Sequence, residues 1–199
     1  MQTFSRTITR ANIDQLLRDY LTSTETIGDS ISTLRGIKLL EALKRGVAGA
    51  GPYPKVSVFE AANRIMTDLV ILYGVRSLLG NEALPFNQYT VEYGHENNEQ
   101  HDIMAESGGR VLIAEAFNVA PSFFPVKKGA ALKKLRRSGV RADYKMIVCN
   151  SGAVPDAYAP KPGNGEFLVL VDVGTGISTV VPGLDVQATA TGRVRSRRA

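Results

Sequence analysis

The sequence predicts a single α/β domain, with helices in its first third and a central sheet in the remainder. Three observations lead to this prediction. Apolar residues recur at helical spacing up to Tyr73, and after Asn87 the apolar period changes to two, which is typical of strands. The length of 199 residues fits one domain, and a hydrophobic content of 44% is enough to form a core. We therefore expect a mixed sheet flanked by helices.

The N-terminal part predicts two helices. Asn12 is a typical helix N-cap, and apolar residues follow it at helical spacing from Ile13 to Leu21. A weaker repeat of the same kind runs from Leu34 to Leu43. We assign residues 1–56 to an N-terminal helical extension.

A third helix opens the predicted core, residues 57–182. Ser57 and Glu60 have the spacing of a capping box, in which the two residues satisfy each other's backbone donors. An apolar stripe follows as far as Tyr73, and Gly74 is a plausible end for the helix.

The rest of the core predicts strands around one basic helix. The predicted strands are 88–93, 101–106, 111–119, 145–150, 167–173 and 177–181. A glycine turn joins the second and third strands in a hairpin. A helix over 127–137 precedes the fourth strand, which we expect to return parallel to the third. Residues 183–199 show no periodicity and predict a flexible basic tail.

Basic residues are concentrated although the net charge is only +5. Eight of them lie between Val126 and Lys145, against one acid, Asp143. Such a local concentration is what a polyanion-binding surface requires. The alternative is a solvated helix face, which is the interpretation we favour for the arginines of the tail.

Several protein classes are excluded by what the sequence contains. No apolar run approaches the roughly 20 residues that a membrane helix needs. The N-terminus lacks the apolar segment of a signal peptide, and the single Cys149 cannot form an internal disulfide. We expect a cytoplasmic protein without a membrane partner.

Two carboxylates stand out in the hairpin. Glu115 lies within an otherwise apolar strand, where an ionised side chain needs a compensating partner. Pairing across the glycine turn would bring Asp102 to the same end of the sheet. Two acidic oxygens at one place suit Mg²⁺, which can polarise a phosphoryl oxygen and activate a water.

This pattern resembles the PD-(D/E)XK nuclease superfamily, which includes Type II restriction endonucleases. The resemblance covers roughly residues 57–150 and comprises Glu60 on a helix, Asp102 and Glu115 on a hairpin, a basic helix and a buried strand. It implies a restriction-endonuclease-like core, with these three acids as catalytic residues and Asp102 and Glu115 as metal ligands. The implied activity is a hydrolase reaction, Mg²⁺-dependent or Mn²⁺-dependent cleavage of double-stranded DNA by a homodimer.

The sequence departs from the superfamily pattern at Phe117, where the motif has a lysine. Three explanations stay open. A lysine from another element reaches the site, a different residue does its work, or the site only binds nucleic acid. The candidate lysines are Lys127, Lys128, Lys133 and Lys145, of which we assign Lys128 to the catalytic site.

The same resemblance suggests which residues contact DNA. Basic side chains of the predicted helix would hold phosphates, and amides of the preceding loop would meet base edges. The predicted DNA-binding residues are Lys127, Lys133, Lys134, Arg136, Arg137, Asn97 and Asn98.

Other interpretations compete with these assignments. A capping box alone explains Glu60, Glu106 is a rival of Asp102, and a two-histidine metal site from His95 and His101 is conceivable. For the whole protein, the alternatives are a catalytically degenerate nuclease fold that binds nucleic acid and a small-molecule or protein-interaction domain.

Overall fold

The computed structural model describes residues 4–94, 100–155, 158 and 166–184. Its helices are α1 (Ile13–Thr24), α2 (Gly36–Arg45), α3 (Val58–Gly80) and α4 (Phe124–Arg137). Its strands are β1 (Thr7–Thr9), β2 (Gln88–Val91), β3 (Ile103–Ser107), β4 (Arg110–Phe117), β5 (Tyr144–Asn150), β6 (Glu166–Asp172) and β7 (Ile177–Val181). Short 3₁₀ turns occur at Asp29–Ile31, Pro121–Phe123 and Ser151–Ala153.

All seven strands form one mixed sheet in the order β1-β2-β3-β4-β5-β6-β7. Strands β1 to β4 are antiparallel, β4, β5 and β6 are parallel, and β7 is antiparallel to β6. The prediction of an α/β fold with a mixed sheet flanked by helices is confirmed. The predicted hairpin is β3–β4, and β5 does return parallel to β4 after the α4 crossover.

The sheet separates two apolar clusters, which explains the alternation along β4. Leu112 and Ala114 pack in the larger cluster, together with the buried face of α3. Ile113 and Phe117 point the other way, into a smaller cluster with Leu135 and other residues of α4. Side chains that alternate along a strand lie on opposite faces, so β4 contributes to both layers.

The sequence prediction ended the third helix too early. Gly74 lies inside α3, which continues to Gly80. A Cβ atom built on Gly74 would lie 2.5 Å from Cγ1 of Val148 on β5. This glycine is therefore explained by the close approach of the helix to the sheet, and it does not terminate the helix.

The first strand was also absent from the sequence prediction, because three residues are too few to show a period. Thr7–Thr9 pair with Gln88–Thr90 at the edge of the sheet. Asn12 supports this strand, since its Oδ1 accepts from the Thr9 amide at 2.8 Å and its Nδ2 donates to the Thr7 carbonyl at 2.9 Å. It makes no side-chain cap for α1.

A buried carboxylate joins the N-terminal elements to the core. Asp68 of α3 is fully buried and accepts hydrogen bonds from the hydroxyls of Tyr20 and Tyr53. Its Oδ1 also accepts from the Gly94 amide, at 2.9 Å. Burial and the negative charge of Asp68 raise the pKa of Tyr20 far above its usual value, so Tyr20 donates as a neutral phenol.

Two further features complete the fold. In the part of the chain that the structure describes, no helix has both the length and the apolar character that crossing a bilayer requires. Cys149 is buried on β5, and burial raises the pKa of its thiol to about 12.

The close approach of α3 to β5 predicts the effect of a single methyl group. Gly74→Ala should lower the free energy of unfolding by about 1–3 kcal/mol, because the new Cβ overlaps with Val148. Urea denaturation followed by circular dichroism measures this change.

Gly129→Ala is the matched control, since Gly129 lies in α4 with no atom within 4 Å of an added Cβ. It should leave stability unchanged or raise it by up to about 1 kcal/mol. Equal effects of the two substitutions would contradict the packing argument.

Candidate functional site

A cavity of about 460 Å³ lies where β2 and β4 end, between α3 and the first turn of α4. Its walls combine acids, cations, amides and apolar groups. The lining residues are Asn63, Arg64, Thr67, Ile71, Glu92, Gly94, Asp102, Ala116, Phe117, Asn118, Val119 and Lys127. The volume lies in the usual range of small-molecule sites, about 300–1,000 Å³.

Asp102 lines this cavity from the residue just before β3. Its Oδ2 accepts a hydrogen bond of 2.7 Å from the Ala116 amide, which holds the carboxylate at the end of β4. Burial raises the pKa of Asp102, and the negative charge of Glu92 raises it further. The hydrogen bond from Ala116 and the charge of Lys134 act in the opposite direction.

Glu92 is a second acid in the cavity that the sequence analysis did not select. It directly follows β2, is only 5% exposed, and its backbone amide donates to the Asp102 carbonyl at 3.0 Å. A signal was present in the sequence, because Glu92 stands between Val91 and Tyr93, two residues typical of strands, and both are buried in the structure. An acid between two buried residues needs an explanation as much as Glu115 does.

Glu115 points to the α4 side of the sheet and is not among the residues that line the cavity. Its Oε1 lies 2.7 Å from Nδ1 of His101, and its Oε2 lies 2.7 Å from Nζ of Lys134. Burial raises the pKa of Glu115 and so does the charge of Asp102, whereas the bonds to Lys134 and His101 lower it. The partner that this buried carboxylate needed is therefore a pair of basic groups.

His101 connects this acid to the end of α4. The imidazole is buried, and its Nε2 lies 2.9 Å from Oγ of Ser138. Since Nδ1 faces a carboxylate, a proton on Nδ1 makes the hydrogen bond to Glu115 and leaves Nε2 to accept from the serine hydroxyl. His95, which the sequence suggested as a second metal ligand beside His101, lies outside the described residues.

The basic residues of α4 do not act as one surface. Lys127 lines the cavity and Lys134 binds Glu115, whereas Nζ of Lys128 lies 3.2 Å from the hydroxyl of Tyr158. Arg136 forms a two-point ion pair with Glu166, with distances of 2.6 and 2.7 Å.

The remaining predicted DNA contacts differ in how far they reach solvent. Lys133 and Arg137 are exposed on α4. Lys145, which is instead a candidate for the missing motif lysine, is half-buried on β5, where it pairs in register with Glu166. Asn97 and Asn98 lie outside the described residues.

The predicted acids of the third helix and of the hairpin tip do not line the cavity. Ser57 caps α3, and its Oγ accepts from the Glu60 amide at 3.2 Å, while the carboxylate of Glu60 pairs with Arg64 at 2.5 Å. Glu106 is exposed near the turn, four residues beyond Asp102 along the hairpin. The structure therefore brings together Asp102 and Glu92 in the cavity, and Asp102 lies close enough to Glu115 for its charge to raise the pKa of Glu115.

Phe117 occupies the position at which the motif lysine is expected. Its side chain is buried, and its ring centroid lies 6.4 Å from that of Phe124 at the start of α4. A side chain in this apolar cluster serves the packing of α4 on the sheet. The cation nearest to Glu115 comes from α4 instead, through Lys134.

Comparison of the chain with known protein families, curated proteins and solved structures finds no match. The function must therefore be argued from the site. Among the residues described, no three or more His, Cys, Asp or Glu side chains form a group that could hold a metal ion. A pair of carboxylates is nevertheless sufficient for Mg²⁺, which usually keeps several of its waters.

The electrostatics of Asp102 predict an unusual gain in stability. Because its pKa is raised by folding, ionisation of Asp102 opposes folding once the pH exceeds the usual pKa of an aspartate. Asp102→Asn keeps an acceptor for the Ala116 amide and removes the charge. We expect a higher melting temperature than wild type at pH 7, and a difference that shrinks towards pH 3.

Asp19→Asn is the control for this substitution. Asp19 is exposed on α1, where it also accepts a side-chain hydrogen bond. The melting temperature of Asp19→Asn should therefore equal that of wild type at both pH values. A loss of stability in Asp102→Asn at pH 7 would show that the carboxylate stabilises the fold.

Proposed function

We propose that this protein is a metal-dependent nuclease that hydrolyses phosphodiester bonds of DNA. The observation that supports the proposal best is the cavity, in which two acids, Asp102 and Glu92, face two cations, Arg64 and Lys127. Acidic oxygens bind a hard cation, and guanidinium and ammonium groups bind phosphate. A phosphodiester and a divalent metal are the pair of ligands that such a mixture of charges suits.

The donor set of the cavity fits Mg²⁺ or Mn²⁺. Asp102 and Glu92 would hold the ion, since the charge of Glu92 raises the pKa of Asp102 by repulsion and a dication would offset that repulsion. When bound, such an ion polarises a phosphoryl oxygen and lowers the pKa of a coordinated water. In this assignment Glu92 takes the place that the sequence analysis gave to Glu115.

Glu115 would then act by holding a lysine in position. Its ion pair fixes Nζ of Lys134, whose charge also lowers the pKa of Asp102. In hydrolysis, the oxygen of a water forms a new bond to phosphorus while the bond to the leaving oxygen breaks. Negative charge increases on the phosphoryl oxygens in this step, and a lysine near the acids stabilises it.

Substrate binding would involve the exposed part of α4. Lys133 and Arg137 are free to meet phosphates of the DNA backbone, which gives affinity that decreases with salt but no sequence preference. Cleavage of duplex DNA at a symmetric site would further favour a homodimer, because a two-fold protein matches two-fold DNA.

One observation favours the alternative, a degenerate nuclease fold that binds nucleic acid without cleaving it. Phe117 is part of the apolar core, and both oxygens of Glu115 have basic partners. If Lys134 only neutralises Glu115, the chain keeps a phosphate-binding surface and lacks the lysine that hydrolysis uses.

Cleavage of supercoiled plasmid in Mg²⁺ or Mn²⁺, with EDTA as the blank, tests the nuclease proposal. Wild type should nick or cut the plasmid, and Asp102→Ala and Glu92→Gln should lower the rate by about a hundredfold or more. Asp19→Ala controls for loss of an acid elsewhere. Folded protein that retains DNA in a salt-dependent manner but does not cut it would support the degenerate alternative.

The role of Lys134 is tested by two neighbouring substitutions. Lys134→Met should lower the cleavage rate about tenfold to a hundredfold, because the charge next to both acids is lost. The acidic limb of the pH–rate profile should also move to higher pH, since Lys134 lowers the pKa of Asp102 and of Glu115.

Lys133→Met is the matched control, because Lys133 is exposed one residue earlier on the same helix. It should weaken DNA binding slightly and leave the pH–rate profile in place. Identical profiles for the two variants would remove Lys134 from the reaction.

A further inference from the structure

Arg64 carries a polar group that the fold itself does not satisfy. Its Nη2 pairs with Glu60 at 2.5 Å, and its guanidinium lies 5.4 Å from the ring centroid of Tyr53. Its Nε is buried and has no hydrogen-bond partner in the part of the chain that the structure describes. Buried donors in native proteins are nearly always paired with protein, water or ligand. Arg64 as a residue lines the cavity, so its guanidinium charge acts on any ligand bound there.

The chemistry of the cavity suits a phosphate ligand. A guanidinium has parallel N–H groups that match phosphate oxygens, and Lys127 adds a second positive charge to the same cavity. The acids Asp102 and Glu92 would repel an anion that arrived alone. With a divalent cation beside the acids, the net charge of the cavity favours a phosphate.

The remaining walls of the cavity suit a nucleobase. Asn63 and Asn118 offer amide donors and acceptors, while Ile71 offers an apolar surface. Amides hydrogen-bond to base edges, as they do in direct recognition of adenine. A volume of about 460 Å³ accommodates one small molecule of nucleotide size, but it cannot admit stacked and paired bases.

We propose that this cavity binds one nucleotide of an unpaired nucleic-acid strand, with its phosphate on Arg64 and Lys127. The inference rests on the proposed function, because it assumes that the substrate is a nucleic acid. It restricts the proposed substrate to strand ends, single strands or nucleotides displaced from a duplex. A base in a paired helix reaches the cavity only after it leaves the stack, which costs a few kcal/mol.

Isothermal titration calorimetry with small ligands tests the inference without any cleavage. The ligands are a deoxynucleoside 5′-monophosphate, the corresponding deoxynucleoside and inorganic phosphate, each titrated in buffer that contains Mg²⁺. We expect saturable binding of the monophosphate. The nucleoside and inorganic phosphate should each bind at least about tenfold more weakly, because each lacks half of the contacts.

Substitutions locate the binding site. Arg64→Ala and Lys127→Ala should each weaken monophosphate binding about tenfold or more, and Arg64→Lys should also weaken it, because lysine keeps the charge but lacks the planar guanidinium. Arg45→Ala and Lys38→Ala are the matched controls on exposed positions of α2 and should bind as wild type does.

Three results would overturn the inference. These are no saturable binding by wild type, equal affinity for inorganic phosphate and the monophosphate, and unchanged affinity in both Arg64→Ala and Lys127→Ala. None of these results depends on whether the protein cleaves plasmid DNA. A protein that cuts plasmid but binds no monophosphate would retain the proposed function and lose this inference, whereas one that binds without cutting would do the reverse.

Discussion

The buried carboxylate of Asp68 joins three parts of the chain that lie far apart in sequence. It accepts from Tyr20 on α1, from Tyr53 in the segment before α3, and from the Gly94 amide beyond β2. A buried acceptor with several donors is costly to leave unpaired, so these segments must assemble around it. Gly94 lines the cavity, and Glu92 precedes it by two residues. The position of the cavity wall thus depends on a contact made inside the core.

Ionisation of Asp102 and Glu115, in contrast, is unfavourable for folding. Burial raises the pKa of both Asp102 and Glu115. The charge of Glu92 raises the pKa of Asp102 further, and the charge of Asp102 raises that of Glu115. Ionisable groups with strongly shifted pKa values are concentrated at functional sites, because binding or catalysis uses a charge that is unfavourable for folding. The contrast with Asp68, which two tyrosines and an amide support, separates a structural acid from a candidate functional one.

The basic side chains of α4 make different contacts, depending on the side of the helix on which they lie. Lys127, Ala131, Lys134 and Ser138 recur at intervals of four, three and four residues, so they share the side of the helix that faces the sheet. Lys127 and Lys134 therefore meet the cavity and Glu115, whereas Lys133 and Arg137 meet solvent. Helical spacing from the inward-facing Ala131 does not distinguish Lys134 from Lys128, because each is three residues away, and only the contact with Glu115 does.

The sequence by itself determined the fold class, the hairpin, the parallel return of β5 and the importance of an acid in an apolar strand. Periodicity and the cost of a buried charge are local properties, so they can be recognised along the chain. Tertiary structure alone decided the rest. Gly74 approaches Val148, Glu92 shares a cavity with Asp102, and Glu115 pairs with His101 and Lys134. Each of these contacts depends on a distance between separate elements. Such distances arise only when the helices pack on the sheet.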